Sequence, residues 1–201
     1  MVRYYLYFLV ILVSCKSPVK PLPILGNPTI VGEDTIYPTI KNFSLINQEG
    51  QVVSNASLKD KIYVADFVFL SCPTICPKMA KQMRDAYIAF TTDNRVAFIS
   101  HTIDPENDSV PRLKAYANNF GVSAPKWQFL TGNQDSIMDL ATSSYFATAY
   151  PDSTSPGGFT HSGGLLLVDK NKHIRGVYNG TKPEETVRLI TDIKKLLKEQ
   201  F

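Results

Sequence analysis

The chain has 201 residues, enough for one domain with a real core plus a tail. Hydrophobic residues make up 44% and charged residues 19%, which excludes a disordered chain. A net charge of only +3 offers no basic surface for a polyanion, so nucleic acid is not expected as a partner.

Arg3 precedes an apolar run of ten residues, Tyr4 to Val13, too short to cross a bilayer as a helix. It ends in Leu12-Val13-Ser14-Cys15, which resembles the bacterial lipoprotein signal. That resemblance implies a signal peptide over residues 1–14 and a lipid on Cys15. The domain is then expected outside the cytoplasm, on the periplasmic side of a bacterial cell membrane, where disulfides persist. Residues 15–36 read as a flexible membrane tether, broken by Pro18, Pro21, Pro23 and Pro28 and loosened by Gly26 and Gly32.

The folded domain is expected over residues 37–201. Ile40, Phe43 and Leu45, the turn Asn47 to Gly50, and Val52-Val53 predict a short hairpin. Lys61 to Leu70 reads as the first core strand, and Pro77 to about Thr91 as a helix with Met79, Met83 and Phe90 on its apolar stripe. Arg95 to Ser100 is a second core strand. Asp108 or Ser109 caps the next helix, with Pro111 in its first turn and Gly121 as its stop. A short strand, Trp127 to Leu130, precedes a helix from Gln134 to Tyr145. Residues 151–158 read as a flexible loop. Leu165 to Val168 and Ile174 to Tyr178 are strands joined by the turn Asp169 to Lys172, and a last helix runs from Pro183. This order predicts an α/β fold of the thioredoxin-like kind: a central mixed sheet flanked by helices, with an N-terminal β-hairpin extension.

Chemistry concentrates in Cys72-Pro73-Thr74-Ile75-Cys76, where an apolar strand gives way to a helix. A thiol in the first turn of a helix feels the positive end of the backbone dipole, which favours thiolate. With Cys15 lipidated, Cys72 and Cys76 are the two thiols left. A structural disulfide between them would close too small a loop to stabilise much, which points to a functional pair. Two thiolates offer a soft site for Cu(I), which a third ligand would complete. His161, in the Gly-rich segment Gly157 to Gly164 just before a strand, is the candidate third ligand. His101 reads as a surface histidine beside a turn and His173 as solvent-exposed. Met79 and Met83 are assigned to packing rather than to metal. Asp66 interrupts an apolar strand, so it needs a partner or an exposed face; it and Asp104 are given structural roles.

Cys72 to Pro77, then Thr102-Ile103-Asp104-Pro105-Glu106-Asn107-Asp108, then Trp127 to Gly132, then His161 before a strand ending at Asp169, together resemble the Sco/SenC family. The resemblance spans roughly residues 37 to 199. It implies a membrane-tethered thioredoxin-like domain that binds one Cu(I) or Cu(II) through Cys72, Cys76 and His161. The implied role is a copper chaperone for the binuclear copper site of cytochrome c oxidase, with the copper-accepting subunit as partner and a thioredoxin-like reductant or another copper carrier as further partners. A second reading stays open, a thiol-disulfide oxidoreductase acting on exported proteins, in which Cys72 attacks and Cys76 resolves. Peroxide reduction ranks last, because no arginine lies near the cysteines in sequence.

Overall fold

The computed structural model describes residues 20–201. The expected signal peptide and Cys15 lie outside the described residues.

In chain order, the strands β1 (Thr29–Val31) and β2 (Asp34–Ile36) form a ribbon of their own. β3 (Ser44–Asn47) and β4 (Val52–Ser54) follow, then a 3-10 turn Asn55–Leu58. The centre is built from β5 (Ile62–Val68), α1 (Cys76–Ala89), β6 (Val96–Thr102), α2 (Val110–Phe120) and β7 (Trp127–Thr131). Next come α3 (Gln134–Asp139), a π-helical segment Leu140–Ser144, and β8 (Ala149–Pro151) with β9 (Phe159–His161). β10 (Gly164–Val168), β11 (Ile174–Asn179) and α4 (Pro183–Gln200) close the chain.

Seven strands make one mixed sheet in the order β11-β10-β5-β6-β7-β3-β4. β5, β6 and β7 run parallel, joined through α1 and α2; the remaining pairings are antiparallel. β5 and β6 are buried at every position, as expected of central parallel strands covered on both faces. Alternate residues feed two cores. Val64, Phe98, Leu165 and Leu167 pack with Met79, Met83, Leu113, Leu189 and Ile193 under α1, α2 and α4. Ala65, Phe67, Ile99 and Leu166 pack on the other face with Leu58, Ile137, Leu140 and Tyr145. This is the expected thioredoxin-like arrangement, and Met79 and Met83, both fully buried, are core residues of it.

Three segments differ from the sequence reading. The stretch read as a tether is partly structured: it carries the β1–β2 ribbon, and Leu25 donates its backbone N–H to the carbonyl of Ile174 at 2.8 Å. Arg175 clasps the same stretch by donating to the carbonyls of Leu22 and Pro23. The same guanidinium pairs with Asp169 at 2.8 Å and with Glu199. Prolines that break regular structure do not prevent packing when their neighbours supply backbone bonds to a folded surface. The expected helix from Gln134 to Tyr145 is α-helical only to Asp139, then widens and ends on Phe146 in a left-handed conformation, φ 52°. The loop 151–158 is the tip of the β8–β9 hairpin. Asp152 ties it by accepting hydrogen bonds from the hydroxyls of Thr154, Ser155 and Thr160 at 2.6, 2.6 and 2.8 Å.

Candidate metal centre

β5 ends at Val68, and the chain turns through Phe69 to Ile75 before α1 begins at Cys76. The turn is closed by the Cys72 N–H on the Phe69 carbonyl, 3.2 Å. Pro77 sits in the first turn of α1, where its missing N–H costs nothing. Both cysteines therefore lie at the carboxyl ends of the parallel strands, where open α/β sheets place their sites. His161 arrives from β9, outside the main sheet. Gly157, with φ +86°, lets the hairpin tip pass the Phe69 ring, which a β-carbon there would meet at 2.6 Å. The Phe69 ring in turn stands edge-on to the His161 imidazole, with centroids 5.5 Å apart, and sets its orientation.

His161 Nε2 lies 3.2 Å from Cys76 Sγ and 4.0 Å from Cys72 Sγ. The three donor atoms all fall within 4.8 Å of one another. One metal held at about 2.0–2.3 Å from each donor requires donor separations up to about 4.5 Å, so the set fits a single ion with little movement. Two sulfurs and an imidazole are the soft and borderline ligands that copper takes in both oxidation states. The structure thus brings together the three residues singled out as ligands, and among the described residues no other such cluster occurs.

The two thiols are electrically unlike. Burial pushes Cys72 up, but hydrogen bonds from His161 and from the backbone of Cys76 and Thr74 outweigh it and bring the thiol down to about 6. Burial dominates at Cys76 and pushes its thiol well above the ordinary value; its bond with Cys72 adds to the rise. Cys76, the cysteine inside the first turn, is therefore held protonated by burial. It is Cys72, just before the helix, that is poised as thiolate.

His101 is not a surface residue. It lies within β6, fully buried, stacked on Phe67 with centroids 5.0 Å apart and flanked by Tyr145 and Phe43. Burial pulls its imidazole down to about 3, so it is neutral, and neither ring nitrogen has a hydrogen-bond partner. The strand runs two residues further than the sequence indicated, which carries His101 inward. His173 is half-buried rather than free, with Nδ1 3.0 Å from the Pro38 carbonyl. Asp66 has no exposed face: it is buried, and desolvation raises it to about 7 against a smaller opposing pull from the Ser100 hydroxyl.

Asp108 and Phe69 were missed as contributors to the site. Of the two residues read as capping α2, Asp108 or Ser109, it is Ser109 that occupies the cap position, and the Asp108 carboxylate turns inward to accept the Leu70 N–H at 3.0 Å. An acidic residue a few positions beyond a buried strand was the available signal.

The SCO1/SenC family model matches residues 33–198. BsSco, described as a member of the Sco family of cytochrome c oxidase assembly proteins with a disulfide switch, is 34% identical, with 80% of this chain and 94% of that one covered at a TM-score of 0.70. A SCO1/SenC family lipoprotein from Bacillus anthracis is 28% identical, with 79% and 95% covered at a TM-score of 0.72. Bradyrhizobium japonicum ScoI with copper bound is 26% identical, with 76% and 98% covered at a TM-score of 0.64. The family match over residues 33–198, a span that includes Cys72, Cys76 and His161, places this chain in the SCO1/SenC family.

Proposed function

We propose that the protein is a copper chaperone that loads the binuclear copper site of cytochrome c oxidase. The observation that carries this is the convergence of Cys72, Cys76 and His161 within 4.8 Å at the mouth of a Sco fold. Copper is cargo here. The poised Cys72 thiolate offers the first bond, and Cys76 and His161 complete the set. Handover proceeds by exchange of these thiolates against the acceptor's own cysteines, with the copper-accepting oxidase subunit as partner. A lipid on Cys15 would hold the domain on the outer face of a cell membrane, consistent with the lipoprotein from Bacillus anthracis. Labelling with a fatty acid, lost in Cys15→Ser, checks that anchor.

The test of the metal site is a Cu(I) titration of the reduced full chain against a competing chelator. One tight equivalent, lost in Cys72→Ser, supports the carrier. No tight binding, with the cysteines cycling readily between dithiol and disulfide, overturns it.

One observation favours a second role on the same residues. A Cys72 thiol brought down to about 6 beside a Cys76 thiol pushed far up is the pairing of an attacking and a resolving cysteine. Cys72 would attack a partner's disulfide and release one partner sulfur as thiol. Cys76 would then displace the other, leaving a Cys72–Cys76 disulfide for an external dithiol to reduce.

A further inference from the structure

The Cys72 turn is held from below by a carboxylate that belongs to another element. β5 and β6 pair in register as far as Val68 opposite Thr102, and Ile103 donates to the Val68 carbonyl at 2.9 Å. Beyond this the ladder ends, and the N–H of Leu70, two residues before Cys72, has no strand to meet. Asp108 Oδ2 accepts it at 3.0 Å and also accepts the Thr102 hydroxyl at 2.6 Å. Asp108 is fully buried; its Oδ1 makes no hydrogen bond and stands 3.9 Å from Arg112. A short turn delivers the carboxylate. Asp108 N–H bonds the Asp104 carbonyl at 2.8 Å, Asp104 N–H bonds Thr102 Oγ1 at 3.0 Å, and the Asn107 side-chain amide donates to both Asp104 carboxylate oxygens at 2.9 and 3.0 Å. Burying a carboxyl is costly unless it is hydrogen-bonded, and here Oδ2 takes two donors, one of them the Leu70 N–H.

We propose that Asp108 is a positioning residue for the copper centre: through the Leu70 N–H it fixes the turn from which the Cys72 sulfur projects toward Cys76 and His161. This rests on the copper reading above. Outer residues that orient metal ligands typically weaken binding about 10- to 100-fold when removed.

The experiment compares Asp108→Ala, Asp108→Asn and Thr102→Val in the full chain. Asp108→Ala is expected to weaken Cu(I) binding about 10- to 100-fold and to shift the sulfur-to-Cu(II) charge-transfer band. Asp108→Asn keeps an acceptor oxygen and is expected to restore most of both. Thr102→Val removes both the second donor to Asp108 and the acceptor of the Asp104 N–H while keeping the carboxylate itself, and is expected to fall between, which keeps the test open if the alanine variant does not fold. The alkylation rate of Cys72 at pH 8 supplies a metal-free readout, expected to change in Asp108→Ala. If the parent chain binds no copper, the copper reading fails while the alkylation rate still judges Asp108. Parental affinity, band position and alkylation rate in a folded Asp108→Ala, with only the melting temperature lowered, would overturn the proposal.

Discussion

His161 Nε2 lies 3.2 Å from Cys76 Sγ although 85 residues separate them in sequence. The contact joins the start of α1 to a small hairpin outside the main sheet, which packs on the core through Ala149 and Phe159. His161→Ala is expected to leave the fold intact and to weaken copper binding while both sulfurs still hold the metal. Circular dichroism and a Cu(I) competition titration check this; unchanged copper affinity would remove His161 from the site.

The same histidine lowers the Cys72 thiol against the opposing effect of burial. Alkylation of Cys72 by a neutral electrophile should follow a titration near pH 6 in the parent. It should move to higher pH in His161→Ala, because a donor to the thiolate is lost. Cys76 should stay unreactive across the same range, since burial keeps it protonated. An unmoved profile in the variant would mean that the backbone donors alone set the Cys72 thiol.

Asp66 makes the fold pH-dependent. Its carboxyl titrates near 7 in the folded chain against an ordinary value of 3.8, so the folded state holds the proton more tightly than the unfolded one. The neutral form is therefore favoured at low pH, and stability falls as pH rises from about 4 through 7, by at most roughly 4 kcal/mol. Asp66→Asn should remove that slope, gaining on the parent at pH 8 and not at pH 4. Urea unfolding at both values measures the difference; parallel losses in parent and variant would refute the assignment.

Arg175 sits 5% exposed between Asp169, itself 1% exposed, and Glu199. Arg175→Ala removes the cation beside the buried Asp169 carboxylate, which keeps its hydrogen bonds from Asn171 N, His173 N and Gln200 Nε2, so the expected cost in urea unfolding is about 3 kcal/mol, the low end for a broken buried pair. It also frees the Leu22 and Pro23 carbonyls, so limited proteolysis should cut near residue 22 before the domain itself yields.

Met79→Leu and Met83→Leu should each cost less than about 1.5 kcal/mol and leave copper stoichiometry unchanged, because both thioethers are buried in the apolar core under α1. A fall in copper binding in either would move that methionine from the core to the metal.

The central strands, α1, α2 and α4 were legible because their apolar periodicity is set by burial on both faces of one sheet, and the ligand trio was legible because thiols and imidazoles are scarce in this chain. His101 was not, because strand length beyond Ser100 depends on pairing with Phe67 and Leu130, partners that local sequence does not name. The Asp108 contact to Leu70 was hidden for the same reason: it spans 38 residues, and a carboxylate before a helix reads as a cap. The clasp on residues 22–25 was masked by prolines, whose local signal says nothing of a guanidinium waiting on another strand.

That clasp gives the molecule a front and a back. Ile174 and Arg175 lie beside Val168, which pairs with Tyr63 at the start of β5, whereas the cysteines follow the end of β5. The chain thus joins the domain at the pole opposite the sulfurs. A hold on the residues before Leu22 grips the domain by its back, and turns Cys72 and His161 toward whatever approaches from the other side.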